Sequence, residues 1–131
     1  MADFTPNSSA SFHDDGGIGV GMEVVFDQPG QPATADAEFT VAGVNAYELY
    51  GTITTRAEGK ADVLVRIYLD GRVILNANQK LHDAGAVNQW VYVPPTALKV
   101  SASTLKVHVE AAGAGNAWPI NCEIELSGRW Q

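Results

Sequence analysis

The sequence predicts an all-β protein, an antiparallel β-sandwich or jelly roll of about eight or nine strands. Apolar and polar residues alternate with a period of two over 61–69, and the alternation returns over 104–110 and 119–126. This period is typical of strands with one solvated face. Residues rich in Gly, Pro and Asn separate the alternating stretches and favour turns. Residues 96–99 could form one helical turn at most.

The amino-terminal part predicts an arm or a short edge strand over 1–17, followed by a single β-sandwich domain over 18–131. The first seventeen residues are small and polar. Gly19 and Gly21 then share one face of a β-rich stretch, which indicates a bulge or the close approach of another backbone or ring. The predicted strands of this half are 18–26, 38–41 and 44–55.

The second half is organised around Asp70-Gly71, the strongest turn signal in the chain. Both residues tolerate the positive φ angles of a type I′ hairpin, so the flanking strands are predicted to be antiparallel neighbours. Residues 76–86 are interpreted as a polar connection. A strand over 87–93 is expected to end at Pro94-Pro95, because two amide donors are lost there. The small-residue loop 111–118 then leads to the last strand.

Composition excludes several classes of partner. The chain of 131 residues is 46% hydrophobic, which is sufficient for one core. Its formal net charge of −7 repels phosphate backbones and anionic lipid, so neither nucleic acid nor membrane insertion is expected. The start of the chain has no signal peptide pattern. A soluble protein in the cytoplasm or in a phage particle, or one released by a non-classical route, is therefore expected, unless a signal was trimmed.

Metal and thiol chemistry find little support in the sequence. The three histidines, His13, His82 and His108, stand apart and form no His-x-His pair, so a cupin-type metal site is not expected. His108 is in phase with the solvated face of its strand. Asp14 and Asp15 could supply oxygen ligands to calcium, but the twelve-residue calcium loop pattern is absent and a turn is the favoured interpretation of this segment. No other cofactor is predicted.

The last predicted strand contains a pair of glutamates and the single cysteine of the chain. Glu123 and Glu125 share one strand face, as the paired carboxylates of sandwich-fold glycosidases do. They also belong to the polar half of an amphipathic strand, and a solvated outer face explains them without chemistry. No catalytic residue is assigned, and an enzyme is not expected. Cys122 falls on the apolar face and is predicted to be a buried small hydrophobe.

The aromatic side chains are the candidate ligand-binding residues. Trp90 and Tyr92 share one face of their strand, and a loop rich in Gly and Ala presents Trp118. Aromatic rings flanked by amide and carboxyl groups can stack on the C–H face of a sugar and bind its hydroxyls. Aromatic residues also dominate protein interfaces and cores, so both interpretations stay open. The polar candidates beside these rings are Asn88, Asp83 and Asn116, with Gln89 as a further neighbour.

Three stretches carry a resemblance to a known group of proteins: Val65-Arg66-Ile67-Tyr68-Leu69-Asp70-Gly71, Leu105-Lys106-Val107-His108-Val109 and Gly115-Asn116-Ala117-Trp118. They resemble the later strands of noncatalytic carbohydrate-binding modules of galactose-binding-like sandwich fold. The resemblance implies that Asn116 and Trp118 contact sugar. A second resemblance, to trimeric jelly rolls similar to tumour necrosis factor, runs from Glu38-Phe39-Thr40-Val41 through Tyr47 to the Asp70-Gly71 hairpin.

Two functional hypotheses follow. The first is a lectin-like, non-enzymatic carbohydrate-binding domain that uses the aromatic side chains, with weak monovalent affinity offset by a homo-oligomer. The second is a structural or assembly module, such as a phage or particle surface domain, in which the same aromatic residues form contacts between subunits.

Overall fold

A computed structural model describes the backbone of residues 2–3, 8–13, 19–26, 33–41, 46–97 and 103–130, and the side chains of residues 21–26, 33–38, 48–94 and 104–127. Within these residues there are ten strands and no helix. The strands are β1 (Ala2–Asp3), β2 (Ser8–His13), β3 (Gly19–Phe26), β4 (Ala33–Val41), β5 (Ala46–Ala57), β6 (Ala61–Leu69), β7 (Arg72–Leu81), β8 (Gly85–Ala97), β9 (Ser103–Gly113) and β10 (Ile120–Trp130). Among the described residues, no helix has the length and apolar character needed to cross a membrane.

The strands form two five-stranded sheets, and every pairing is antiparallel. The first sheet has the order β1-β4-β9-β6-β7, and the second has the order β2-β3-β10-β5-β8. The all-β sandwich predicted from the sequence is therefore confirmed. β2 lies at one edge of the second sheet and β8 at the other. The division at residues 17 and 18 stays a prediction.

The core lies between the inner faces of the two sheets. Alternation places Val63, Val65 and Ile67 of β6 in the core, each fully buried. Ile124 and Cys122 of β10 face them from the second sheet and are also fully buried. The expectation that Cys122 is a buried small hydrophobe is thus confirmed. Its burial raises the pKa of the thiol from 9.0 to about 12, because the thiolate would lose its hydration.

The β6–β7 hairpin has the predicted turn geometry. Asp70 has a φ of 49° and Gly71 a φ of 84°, so both central residues have the positive φ of a type I′ turn. The Asp70 carboxylate accepts a hydrogen bond from the Thr104 amide at 2.9 Å. The Asp70 amide donates to the Thr104 carbonyl, also at 2.9 Å. The hairpin is thereby fastened to the start of β9.

The prediction of a polar connection over residues 76–86 is wrong for most of that range, because β7 extends to Leu81. Asn76, Asn78 and Lys80 are exposed, and the residues between them are buried. Gln79 is one of the buried residues, so the alternation was hidden by a polar side chain that faces the core. β4 similarly begins at Ala33, before the predicted start, because its inward residues are small alanines.

The expected end of β8 at Pro94-Pro95 is also wrong, since the strand continues to Ala97. β8 pairs only with β5 in the second sheet, and the register shifts beside the prolines, between Tyr47 and Leu49 of β5. Edge strands and bulges are the places where proline is tolerated in a sheet, because a missing amide costs no central ladder bond there. The helical turn considered at 96–99 is excluded for Thr96 and Ala97, and the rest lies outside the described residues.

Candidate functional site

Three aromatic side chains meet on the outer face of the second sheet. Along β5 and β8, side chains next to buried positions project outward. Tyr50 of β5 lies directly opposite Tyr92 of β8, and Thr52 lies directly opposite Trp90. This register makes Tyr50 a diagonal neighbour of Trp90. We refer to Tyr50, Trp90 and Tyr92 together as the aromatic platform.

The platform is open to solvent and held in place by neighbouring groups. Trp90 is 65% exposed and Tyr92 is 51% exposed. The ring centroids of Tyr50 and Trp90 are 6.2 Å apart and their planes are tilted by 32°, within the range in which aromatic rings attract each other. The Tyr92 hydroxyl donates a hydrogen bond to Glu48 Oε2 at 2.7 Å. Tyr50 and Trp90 are therefore in ring contact, and Tyr92 is oriented by its hydrogen bond to Glu48.

Polar side chains surround the platform in rows that cross the strands. One row runs Gly21, Glu125, Thr52, Trp90, and the adjacent row runs Glu23, Glu123, Thr54, Asn88. Adjacent strands are about 4.8 Å apart, so each row presents a hydroxyl beside β8 and a carboxylate about 10 Å from it. In the row of Trp90, the position after Glu125 is Gly21, which has no side chain, and Ser11 of β2 pairs with it on the far side. A ligand longer than one ring could therefore continue across the sheet.

Acidic groups dominate this outer face. Its described side chains include four glutamates: Glu23, Glu48, Glu123 and Glu125. Arg56 is the one cation among them, and it lies in the row of Asn121 and Ala86, two rows from Trp90. Glu123 and Glu125 are exposed, as the sequence indicated, and neither makes a hydrogen bond or ion pair with a described residue. The platform therefore borders a surface of negative charge.

The structure brings together three of the ligand-binding residues proposed from the sequence. Trp90 and Tyr92 share one face of β8, as predicted, and the structure shows that this is the outer face. Asn88 lies two residues before Trp90 on the same face. Tyr50 was not selected from the sequence, although the alternation of β5 does assign it to the face opposite buried Leu49. What the sequence does not reveal is that β5 pairs with β8 in the register that places Tyr50 beside both rings.

The other proposed residues lie at one end of the sandwich. Asp83 is in the turn between β7 and β8, and Asn116 and Trp118 are in the segment between β9 and β10. Gly85 pairs with Ala57 at the same end of the second sheet. Trp90 lies in the row of Glu125, five residues along β10 from its start, or about 17 Å away. Trp118 and Asn116 therefore do not share the platform.

The segment that carries Trp118 is packed onto the adjacent β5–β6 turn. The Glu58 amide donates to the Ala117 carbonyl at 2.9 Å, and the Ala114 amide donates to the Lys60 carbonyl at 3.1 Å. Trp118 is half-buried and packs against the core. Its indole Nε1 is buried and makes no hydrogen bond within the described residues. Ligand contact by Trp118, Asn116 or Asp83 stays a prediction.

The outer face of the first sheet carries a polar cluster around His108. Its Nδ1 lies 2.6 Å from Asp36 Oδ1, and its Nε2 lies 3.0 Å from Glu110 Oε1. The His108 side chain is 18% exposed, so it is more covered than its solvated position in the sequence suggested. Lys106 Nζ lies 3.7 Å from the same Asp36 oxygen. The Lys106–Asp36 ion pair and the His108–Asp36 contact both join β9 to β4.

Metal sites can be assessed only in part. No group of three His, Cys, Asp or Glu side chains suited to a metal ion occurs within the described side chains. Asp14 and Asp15, the residues considered for calcium, lie outside the described residues, so this interpretation stays a prediction. An open groove of about 420 Å³ lies on the first sheet and is lined by Glu38, Tyr68, Gly71, Thr104 and Lys106. It contains one aromatic side chain, so it lacks the paired exposed rings of the platform.

No family model and no curated protein sequence matches the chain. Among solved structures it is similar to CBM4, with 11% identity and a TM-score of 0.49 over 96% of this chain and 81% of that one. It is similar to TmCBM61, determined with β-1,4-galactotriose, with 11% identity and a TM-score of 0.46 over 98% of this chain and 91% of that one. It is also similar to a chain of infectious bursal disease virus, with 11% identity and a TM-score of 0.47 over 98% of this chain and 30% of that one. The chain thus resembles the β-sandwiches of carbohydrate-binding modules, as expected from its sequence, and the likeness concerns the fold.

Proposed function

We propose that the chain is a non-enzymatic carbohydrate-binding domain and that the aromatic platform is its binding site. The observation that carries this proposal is the exposure of two adjacent large rings, Trp90 and Tyr92, on an otherwise polar sheet face. Exposed apolar surface of this kind is costly in water unless a partner covers it. The hydrogen bond from Tyr92 to Glu48 restrains one of these rings before any ligand arrives.

The chemistry of the face fits a sugar chain. Sugars have apolar C–H faces, which stack on aromatic rings, and hydroxyl groups at their edges, which need hydrogen-bond partners. Trp90 offers the stacking surface. Thr52 and Thr54 lie beside it on β5, and Asn88 lies beside it on β8. These side chains can donate to and accept from sugar hydroxyls. The tilt between Tyr50 and Trp90 suits a ligand that bends or twists across the two rings.

The alternative function, an assembly module, is supported by the position of the platform. β8 is one of the two edge strands of the second sheet, and an exposed edge with aromatic side chains can be covered by another subunit. Pro94 lies in this edge and, like Pro95, has no amide to donate to a further strand. Edge-to-edge pairing with another copy is therefore disfavoured along that part of β8.

The test is glycan-array binding by the wild-type chain and by Trp90→Ala. A tryptophan presents up to about 250 Å², so 65% exposure leaves about 160 Å², and a ligand on one ring face would cover about 80 Å² of it. At about 25 cal/mol per Å² this corresponds to about 2 kcal/mol, or roughly a thirtyfold loss of affinity. Val73→Ala is the matched control, because Val73 is 48% exposed on the first sheet. The affinity of Val73→Ala for the glycan should equal that of wild type.

Light scattering of the same proteins separates the two functions. Loss of glycan binding by Trp90→Ala with unchanged mass supports the carbohydrate-binding site. A wild-type oligomer that dissociates in Trp90→Ala, together with no glycan bound by the wild type, would reject it in favour of the assembly module.

A further inference from the structure

We propose that the aromatic platform selects glycans by charge, binding chains with free amino groups more tightly than uncharged chains of the same backbone, and chains with carboxylates least. This inference rests on the proposed function, because it requires a glycan that stacks on Trp90 and continues across the sheet. The substrate class is therefore an amino-sugar polymer, and Glu123 and Glu125 are its specificity-determining residues.

A glycan that stacks on Trp90 and extends across the strands reaches these carboxylates. In the row of Trp90, Thr52 comes next and Glu125 follows, about 10 Å from β8. Gly21 beyond it presents no side chain, so a chain that follows this row lies over Glu125 without obstruction. In the adjacent row, Asn88 and Thr54 lead to Glu123 in the same way.

Among the described side chains, no cation forms an ion pair with the carboxylates on this path. Glu123 lies directly opposite Glu23, and like charges at such positions repel each other. Neither Glu123 nor Glu125 makes an ion pair with a described residue, although Arg56 lies in the row next to Glu123 and two rows from Glu125. A protonated amine over this surface relieves the repulsion, whereas a carboxylate on the ligand adds to it.

Glu48 is less suitable for the test than Glu125. Its carboxylate accepts the Tyr92 hydrogen bond, so replacing it would also disturb a platform ring. The backbone register also places Arg129 opposite Glu48. Glu125 has neither complication. Glu58 provides a matched control, because it is exposed in the β5–β6 turn, away from the platform, and its replacement changes the net charge by the same amount.

The experiment measures the affinity of wild type, Glu125→Gln and Glu58→Gln for three β-1,4-linked chains of equal length by calorimetry. The chains are oligoglucose, oligoglucosamine and oligoglucuronate, which differ in carrying no charge, an ammonium group or a carboxylate. At about pH 5.5, where carboxylates are ionised and the amines are protonated, wild type should prefer the amine chain to the uncharged chain and bind the carboxylate chain weakest. The differences in affinity between the three chains should become smaller in about 1 M salt, where the screening length is about 3 Å.

Glu125→Gln should bind the amine chain about 1.5- to 5-fold less tightly, the range expected for one exposed charge pair, and should bind the uncharged chain as wild type does. Glu58→Gln should behave as wild type with all three. Equal affinities of wild type for the three chains, or equal effects of the two substitutions, would overturn the charge selection and leave the proposed function standing. Failure of the amine chain to bind wild type would also overturn it, and the Trp90→Ala comparison on the array then decides the proposed function separately.

Discussion

A buried polar contact between the sheets is the strongest single test of the fold that supports the platform. Gln79 of β7 is 2% exposed and reaches across the core to the second sheet. Its amide Nε2 donates to the Ile53 carbonyl at 2.8 Å, and its Oε1 accepts from the Thr55 hydroxyl. Ile53 and Thr55 belong to β5, the strand that also carries Tyr50 and its outward neighbours. The contact therefore fixes the platform strand against the first sheet.

We expect Gln79→Leu to lower the free energy of unfolding by about 2 kcal/mol. The substitution removes a partner from two buried groups, and an unsatisfied buried group costs about 1–3 kcal/mol. Two factors reduce the sum. Without Gln79, the Thr55 hydroxyl can turn to donate to the sulfur of neighbouring Cys122, and leucine gains from burial in the apolar core. Thr55→Val should be destabilising for the converse reason, because Gln79 Oε1 loses its donor.

The assay is urea unfolding of wild type, both single variants and the double variant. Because the two side chains share one contact, the double variant should lose less than the sum of the single losses, with a coupling of about 0.5–3 kcal/mol. The slope of the unfolding free energy against urea should stay constant. The reasoning is refuted if Gln79→Leu is as stable as wild type, or if the two single losses simply add.

Two further outcomes are expected. Gly51→Ala should lose more than about 3 kcal/mol in urea unfolding, because its Cβ would lie 2.0 Å from the Glu125 carbonyl oxygen, whereas Gly115→Ala, with open space around it, should change little. Equal stability of the two variants would contradict this packing. The buried Cys122 thiol, with its pKa raised to about 12, should resist alkylation in the folded state. Since the unfolded chain deprotonates nearer 9.0, the contribution of this thiol to stability should be lost between about pH 9 and pH 12, by at most about 1.4 kcal/mol per pH unit. Cys122→Ala should show a shallower decline with pH in urea unfolding, and an equal decline would disprove the assignment.

Strand periodicity was predictable wherever the inward residues are apolar. β6 and β10 follow the alternation seen in the sequence, and the Asp70-Gly71 turn has the expected positive φ angles. Prediction failed where an inward residue is polar, as at Gln79, because its partners Thr55 and Ile53 are far away in the sequence. It failed at Pro94-Pro95 because tolerance of proline depends on whether the strand lies at an edge.

The candidate site was predictable to the same extent. Alternation along one strand is sufficient to place Trp90 and Tyr92 on a common face, with Asn88 beside them. From the sequence, Trp118 was as good a ligand-binding candidate as Trp90, because a loop of small residues does not show which side chains pack against the tryptophan. Its position against the core, with the loop bonded to the β5–β6 turn, depends on contacts made between strands.

The sequence by itself determined the class of fold, the alternating faces of most strands, the main hairpin and the common face of Trp90 and Tyr92, because these depend on the order of neighbouring residues. Apart from the β6–β7 hairpin, only the tertiary structure decided which strands are adjacent. The pairing of β5 with β8 places Tyr50 beside Trp90, and the pairing of β10 with β5 places Glu125 in the same row. These relations depend on long-range register, which burial of one face of each strand and closure of the sandwich select together.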